Sequence, residues 1–107
     1  MPQETPFFNR LAAVISADGK IVRSYQLEKV ELKGSNEYIL TWKIDLRGGE
    51  AKSNFVATIG SEMEEPVEPG FVTVGLAEGN YKSYVKTYDV AGKPARRPFH
   101  IGVFRDR

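Results

Sequence analysis

The chain has 107 residues, 41% of them hydrophobic, and its 15 basic and 14 acidic residues leave a net charge of +1. A chain of this length forms one domain with a single core, and the near-neutral balance gives no electrostatic case for nucleic acid or an anionic membrane as partner. Cysteine is absent. This removes disulfides, thiolate metal sites and cysteine nucleophiles, but it fits a reducing cytosol as well as a bacterial or viral surface.

Residues 1–10 are predicted to be an N-terminal arm, and residues 11–107 a β-sandwich domain. The chain begins Met-Pro-Gln-Glu-Thr-Pro-Phe-Phe, and no basic stretch followed by a long apolar run predicts a signal peptide there. No segment approaches the ~20 apolar residues of a membrane helix. We therefore expect a soluble protein without membrane insertion, and the compartment stays open, with a virion or the extracellular space among the options.

Alternation with a period of two, interrupted by turn signals about every ten residues, predicts an all-β fold. Asp18-Gly19 predicts a type I′ turn, because both residues take positive φ at small cost. About eight strands in a chain of this size predict an antiparallel two-sheet β-sandwich. The predicted strands are Leu11–Ser16, Ile21–Tyr25, Val30–Leu32, Tyr38–Asp45, Phe55–Ile59, Phe71–Leu76 and the two strands of a terminal hairpin within Tyr81–Phe104.

Trp42 belongs to the clearest alternating strand. Its partners in the alternation are Tyr38, Leu40 and Ile44, all apolar, whereas the residues between them are mostly polar. A tryptophan can serve as a stacking platform for a sugar, but this pattern favours a place in the core.

Tyr84, Lys86 and Tyr88 are predicted to share one strand face, in the order aromatic, cation, aromatic. A fully buried face does not hold an unpaired lysine, so the face is expected to be exposed or half-covered. Tyrosine rows on such faces are typical of interfaces and of carbohydrate contacts. Ordinary cross-strand pairs on a solvated sheet are the alternative.

A basic cluster lies near the loop of the terminal hairpin, with Lys93, Arg96 and Arg97 joined by Arg105 and Arg107. Such a cluster can contact phosphate, an acidic sugar or an acidic loop of a neighbouring subunit, although loop charges are usually just solvated. Arg96 and Arg97 are the two residues of this cluster that we predict to make contacts.

An acidic stretch, Ser61–Gly70, is the longest without a strand pattern, and it contains Glu62, Glu64, Glu65 and Glu68. It lacks the Asp/Asn spacing and the turn glycine of a calcium loop, so a solvated loop is predicted, with a loop-borne binding surface as the alternative. If copies of the chain assemble, these glutamates can complement the arginines of the basic cluster in another subunit and fix the register.

His100 is the only histidine, and alternation places it opposite Phe99, Ile101 and Val103, which are predicted core residues. A metal site around it would have only carboxylates and carbonyls as partners. A Ser–His–Asp arrangement stays open because triads are spatial, but no Gly-x-Ser-x-Gly elbow is present. A structural histidine is favoured, and the chain is predicted to be no enzyme, with no cofactor and no metal.

The chain resembles the C-terminal tip domain of bacteriophage tail fibres and related uncharacterised bacterial proteins, over about Leu11 to Phe104. The resemblance consists of strand rhythm and turns. The runs that carry it are Ala17–Lys20, Val30–Leu32, Glu37–Trp42, Phe55–Gly60, Pro69–Val74, Val85–Asp89 and Arg97–Phe104.

This resemblance implies a sandwich without enzymatic activity or a fixed cofactor, which often forms a trimer and recognises a cell-surface glycan or another protein. The expected function is a binding or assembly domain that works as a homo-oligomer. A purely structural subunit of a phage or secretion-type assembly, which binds only protein chains, is the alternative.

Overall fold

Eight strands form all the regular secondary structure in a computed structural model that describes residues 10–47, 52–62 and 66–105. Strands β2, β1, β8 and β5 lie side by side in sheet 1, and β3, β4, β7 and β6 in sheet 2, with every pair antiparallel. The predicted all-β, two-sheet sandwich of about eight strands is confirmed. The strands are β1 (Arg10–Ile15), β2 (Ile21–Tyr25), β3 (Leu27–Lys33), β4 (Glu37–Trp42), β5 (Ser53–Ile59), β6 (Phe71–Leu76), β7 (Lys82–Tyr88) and β8 (Phe99–Arg105).

The core lies between the two sheets, where the inward residues of the central strands meet. Trp42 is fully buried, and its indole Nε1–H donates a hydrogen bond to the Ser83 hydroxyl at 2.9 Å. The core position predicted for Trp42 is therefore confirmed. The same holds for the three predicted core residues of β8, Phe99, Ile101 and Val103, which are all buried.

Tyr38 joins the two sheets to the first turn. Its ring lies edge-on to Phe99, with 4.9 Å between the centroids, and its hydroxyl donates to the Ala17 carbonyl oxygen at 2.7 Å. Burial raises the pKa of this phenol. An aromatic pair and a satisfied hydroxyl at one buried position hold the β1–β2 turn against the core.

The turn between β1 and β2 differs from the prediction. The Ser16 carbonyl accepts from the Gly19 N–H at 2.9 Å, and the Ser16 N–H donates to the Lys20 carbonyl at 2.9 Å. Gly19 has a φ of 89°, whereas Asp18 has no positive φ. The type I′ prediction is wrong, because this three-residue loop needs the left-handed conformation only at its last position.

The chain passes from sheet 1 to sheet 2 through a single residue, Gln26, which has a φ of 66°. Strand β3 starts directly after it and is longer than predicted. Strand β4 ends earlier, at Trp42, because the chain then turns to place the buried Leu46, whose N–H donates to the Asn80 carbonyl at 2.7 Å. Both faces of β4 are covered, including Ile39 on the outer side, so the polar–apolar alternation predicted a more exposed strand than the structure has.

The other side of the sandwich is formed by two edge strands, β5 of sheet 1 and β6 of sheet 2, which are joined by residues 60–70. In the part of the chain that the structure describes, no helix is long and apolar enough to cross a membrane. Arg10, the last residue of the predicted arm, is instead the first residue of β1. Residues 1–9 of the predicted arm, Gly48–Glu50, Glu64, Glu65 and Arg107 lie outside the described residues.

Candidate contact surfaces

The outer face of sheet 2, here called face 2, presents Tyr84, Lys86 and Tyr88 together. All three are half-buried, while the residues between them on β7 are buried. The three side chains therefore share one half-covered face, as predicted.

Tyr84 lies across the middle of face 2 rather than standing out from it. Its cross-strand neighbours are Ile39 and Gly75, and its ring comes within 2.7 Å of the position that a Cβ atom would take on Gly75. The ring fills the space that the glycine leaves free, in the way that an aromatic residue often covers a strand glycine. A part of its surface is therefore used inside the fold.

Lys86 belongs to a row of alternating charge on face 2. Across β3, β4 and β7 the row runs Lys33, Glu37, Lys86, and it ends at Thr73 on β6. Opposite charges on neighbouring strands stabilise a sheet modestly and keep it solvated. Lys86 thus has the acidic neighbour that its half-buried place requires.

Tyr88 lies directly opposite Phe71, the first residue of β6 and an exposed side chain. The two aromatic residues are cross-strand neighbours at the end of face 2, and Lys86 is on the same face. The sequence did not single out Phe71, because only the register between β6 and β7 shows that it faces Tyr88.

Arg96 and Arg97 follow one another in the β7–β8 loop but point to different segments. Arg96 Nε donates to the Ser35 carbonyl at 3.3 Å, and Arg97 Nε donates to the Pro69 carbonyl at 3.2 Å. Arg97 also lies 3.5 Å from a carboxylate oxygen of Glu68, and its side chain is only 16% exposed. The predicted complementarity of arginine and glutamate loops thus occurs within one chain for this pair, which leaves Arg96 as the more accessible of the two.

The rest of this loop is ordered by Asp89, whose carboxylate accepts the N–H groups of Ala91 and Lys93, both at 2.9 Å. These bonds, the one from Lys93 most of all, lower the pKa of Asp89. Lys93 therefore lies on an ordered tip, as an exposed residue.

A groove of about 490 Å³ lies over face 2, and Glu37, Ile39 and Tyr84 contribute to its wall. Its lining is a mixture of charges on an open sheet surface. Among residues 10–47, 52–62 and 66–105, no group of three or more His, Asp or Glu side chains is placed to hold a metal ion.

His100 lies on the outer face of sheet 1, here called face 1, between Val14 and Thr58 of the neighbouring strands. It is half-buried, and its ring approaches to 3.2 Å the position that a Cβ atom would take on Gly60. The orientation opposite the core residues of β8 agrees with the prediction. Packing against a backbone without a side chain fits a structural histidine.

An exposed ion pair between Arg23 and Glu62 lies beside His100. The Arg23 guanidinium donates to one carboxylate oxygen of Glu62, with the Nε distance at 2.8 Å. This hydrogen bond lowers the pKa of Glu62, and the charges of Arg23 and His100 lower it further against the effect of desolvation. The pair forms a charged rim at one border of face 1.

Next to that rim, an uncharged row crosses all four strands of face 1. The register aligns Tyr25, Ala12, Gly102 and Val56 side by side, and the ring of Phe104 lies 3.8 Å from where a Cβ atom of Gly102 would be. Tyr25 is 41% exposed, Val56 59% and Phe104 57%. A shallow depression of about 260 Å³ lies among Gly102, Val56 and Phe104. We call these five residues the apolar row.

The apolar row was missed from the sequence, although one signal was present. Alternation in β8 already put Phe104 and Gly102 on the outer side, and alternation in β5 did the same for Val56. That these residues are adjacent follows from strand order, which a single sequence does not contain. Exposed apolar residues become informative only when they are contiguous.

In comparisons with known proteins, no family model, no curated protein and no solved structure matched this chain. The resemblance to fibre tip domains therefore stays a prediction.

Proposed function

We propose that the chain is a non-catalytic binding and assembly domain that forms a homo-oligomer, with the apolar row of face 1 as its contact surface. The observation that carries this proposal is the alignment of Tyr25, Ala12, Gly102 and Val56 across four strands, with Phe104 beside them and no charged residue among them. The oligomer number that the resemblance favours is three.

Exposure of the row has an energetic consequence. Burying a valine or phenylalanine side chain that was in water contributes about 1.5–3 kcal/mol. Val56 and Phe104 are each more than half exposed, at 59% and 57%, so a partner surface that covers both gains from burial. The cross-strand neighbour of Phe104 on β1 is Arg10, and desolvation of its charge would count against that gain. Interfaces have such an apolar centre with a polar rim, a place that Arg23 and Glu62 would occupy here.

The test is the native mass of Val56→Asp over a range of protein concentrations. A buried carboxylate at the centre of the contact costs far more than the lost valine, and we expect assembly to weaken by roughly 100-fold or more. Val90→Asp is the matched control, because Val90 is 64% exposed on the β7–β8 loop, away from both faces. Equal masses for the two variants, or a wild-type chain that stays monomeric, would contradict the proposal.

A second candidate function, recognition of a surface glycan, is favoured by the pair of Phe71 and Tyr88 on face 2. Aromatic rings stack on sugars, and Lys86 beside Tyr88, together with Arg96 on the loop, suits an acidic sugar. A glycan array should show a signal that Tyr88→Ala and Phe71→Ala both abolish, while Tyr81→Ala, which removes an exposed tyrosine outside this pair, retains it.

The two candidates separate in the same experiment. If Tyr84→Ala and Tyr88→Ala lose the glycan signal but keep the oligomer mass, face 2 binds the ligand. If the two variants no longer have the native mass of the oligomer, the chain is a structural subunit that binds protein through face 2. The hypothesis of a hydrolase site around His100 would be excluded if a folded His100→Ala variant gave the same activity as the wild-type chain on a substrate panel.

A further inference from the structure

Strand β6, at the edge of sheet 2, carries none of the features that usually protect an edge strand. Its sequence is Phe-Val-Thr-Val-Gly-Leu, with no charge and no proline, and it pairs only with β7. Phe71 and Leu76 are exposed at its two ends. Proteins normally protect such an edge with lysine, proline or a bulge, since its free N–H and C=O groups are a template for another strand.

The other edge of the same sheet shows the contrast. Strand β3 carries four charged residues out of seven, Glu28, Lys29, Glu31 and Lys33. Edge strand β2 of sheet 1 has Arg23 in its middle and a register irregularity opposite Val14 and Ile15. The two edge strands on the opposite side, β5 and β6, contain no charged residue, and the charges on that side lie in the segment that joins them.

We propose that β6 pairs antiparallel with β6 of a second copy of the chain, about a two-fold axis at Thr73, so that sheet 2 continues from one copy into the other. In this register Thr73 faces Thr73 of the second copy, Val72 faces Val74, and Phe71 faces Gly75. Each of these is a favourable cross-strand combination: two threonines, two β-branched residues, and an aromatic residue beside a glycine.

A second copy is the occupant that the strand itself specifies, because within Phe71–Leu76 it meets its own copy without placing like charges opposite each other. The nearest like charges along the chain, Glu68 and Glu78, lie beyond the two ends of the strand. The nearest charge on face 2 is Lys86, one strand away from Thr73. Its counterpart in the second copy would be three strand spacings away, about 14 Å, which exceeds the Debye length of about 8 Å at physiological ionic strength. Strand β5, the neighbouring edge strand of sheet 1, also has no charged residue that could face β5 of the second copy.

This pairing rests on the proposed function only in taking a second copy as partner, since it uses a different surface from the apolar row. A two-fold contact at β6 joins copies in pairs. Together with a contact at face 1 it would link such pairs into a larger assembly.

The absence of cysteine from the chain allows a direct test by single-cysteine cross-linking. In the proposed register Thr73→Cys places two thiols on directly opposed residues, with Cα atoms about 4.5–5.5 Å apart, within the range that a disulfide bridges. Phe71→Cys is the control on the same strand and face. Its thiol would be about 14 Å along the strand from its copy, too far to bridge.

Under mild oxidation we expect Thr73→Cys to become mostly covalent dimer, at least tenfold more than Phe71→Cys. Equal cross-linking of both variants would show random collision and overturn the proposal. Failure of Thr73→Cys to cross-link would overturn it as well, whether the edge is empty or binds an unrelated strand. Adding Val56→Asp to Thr73→Cys should leave the covalent dimer intact, so that loss of the face 1 contact and loss of the β6 contact are seen separately.

Discussion

The two outer faces of the sandwich are both four-stranded and antiparallel, and each has a glycine beneath an aromatic ring, yet they are chemically different. Face 2 carries Lys33, Glu37 and Lys86 in one row of alternating sign, whereas face 1 carries the apolar row. In that row of face 2 each charge has a cross-strand neighbour of opposite sign. On face 1 the apolar surface has no such partner among the described residues of the chain, so the face with fewer polar groups is the better candidate for a contact.

The glycines Gly75 and Gly102 sharpen this difference. Gly75 on face 2 lies under the Tyr84 ring at 2.7 Å from its Cβ position, and Gly102 on face 1 lies under the Phe104 ring at 3.8 Å. The first distance is below any contact that a real Cβ atom makes, and the second is ordinary packing. Face 2 is therefore closed over Gly75, while face 1 retains room under its aromatic residue.

Alanine at these two glycines gives the largest expected effect. Gly75→Ala should lower the free energy of unfolding by about 1–3 kcal/mol, because the Tyr84 ring has to lift off the sheet. Gly102→Ala should change it by less than about 0.5 kcal/mol. Denaturant unfolding measures both, and a Tyr84→Ala background should remove the penalty of the first. An equal loss of unfolding free energy in Gly75→Ala and Gly102→Ala would mean that the two faces do not differ in the space above their glycines.

A charge reversal in the row of face 2 should have an intermediate effect. Glu37→Lys places three lysines side by side with Lys33 and Lys86, and we expect a loss of about 1 kcal/mol in unfolding free energy that shrinks when salt is added. Asp18→Lys is the matched control, since it reverses an exposed charge in the β1–β2 turn, outside the row of face 2. A salt-independent loss, or the same loss in both variants, would argue against alternating charge as a stabilising feature of face 2.

The rim of face 1 gives the smallest effect. Arg23→Gln should raise the pKa of Glu62 back towards its ordinary value of 4.5, because the hydrogen bond from Arg23 is the main cause of its lowering. A lowered pKa contributes stability above pH 4.5 that is lost as the pH falls through the folded value. An NMR titration of the Glu62 carboxylate reports this. Arg96→Gln, which does not touch Glu62, should leave the titration unchanged, and a shift there would discredit the assignment.

The sequence predicted whatever depends on alternation along one strand. The inward Phe99, the buried Trp42 and the outward Tyr84 all follow from a period of two. Strand order and register are decided by packing between distant segments, so the sequence did not reveal that Phe71 faces Tyr88 or that Val56 lies beside Gly102.

Arg47 shows the same limit in a loop. Its guanidinium donates to the Gly79 carbonyl at 2.8 Å and to the Ala77 carbonyl at 2.9 Å, and so ties the end of the β4 segment to the β6–β7 turn. Nothing in the sequence around Arg47 indicates these acceptors, because they lie about thirty residues further along the chain. The β1–β2 turn is a related case, in which Gly19 was identified but the conformation of Asp18 was not.

The one-residue connection at Gln26 makes the sandwich asymmetric in a mechanical sense. On that side the two sheets are held close together, since a single residue with a φ of 66° joins β2 to β3. On the opposite side residues 60–70 separate β5 from β6. A transient separation of the sheets should therefore start at β5 and β6 and pivot about Gln26. The amide protons of β5 and β6 should exchange with solvent sooner than those of the central strands. Gln26→Gly would relieve the backbone strain but make this connection more flexible, so that the sheets could also separate on the β2–β3 side.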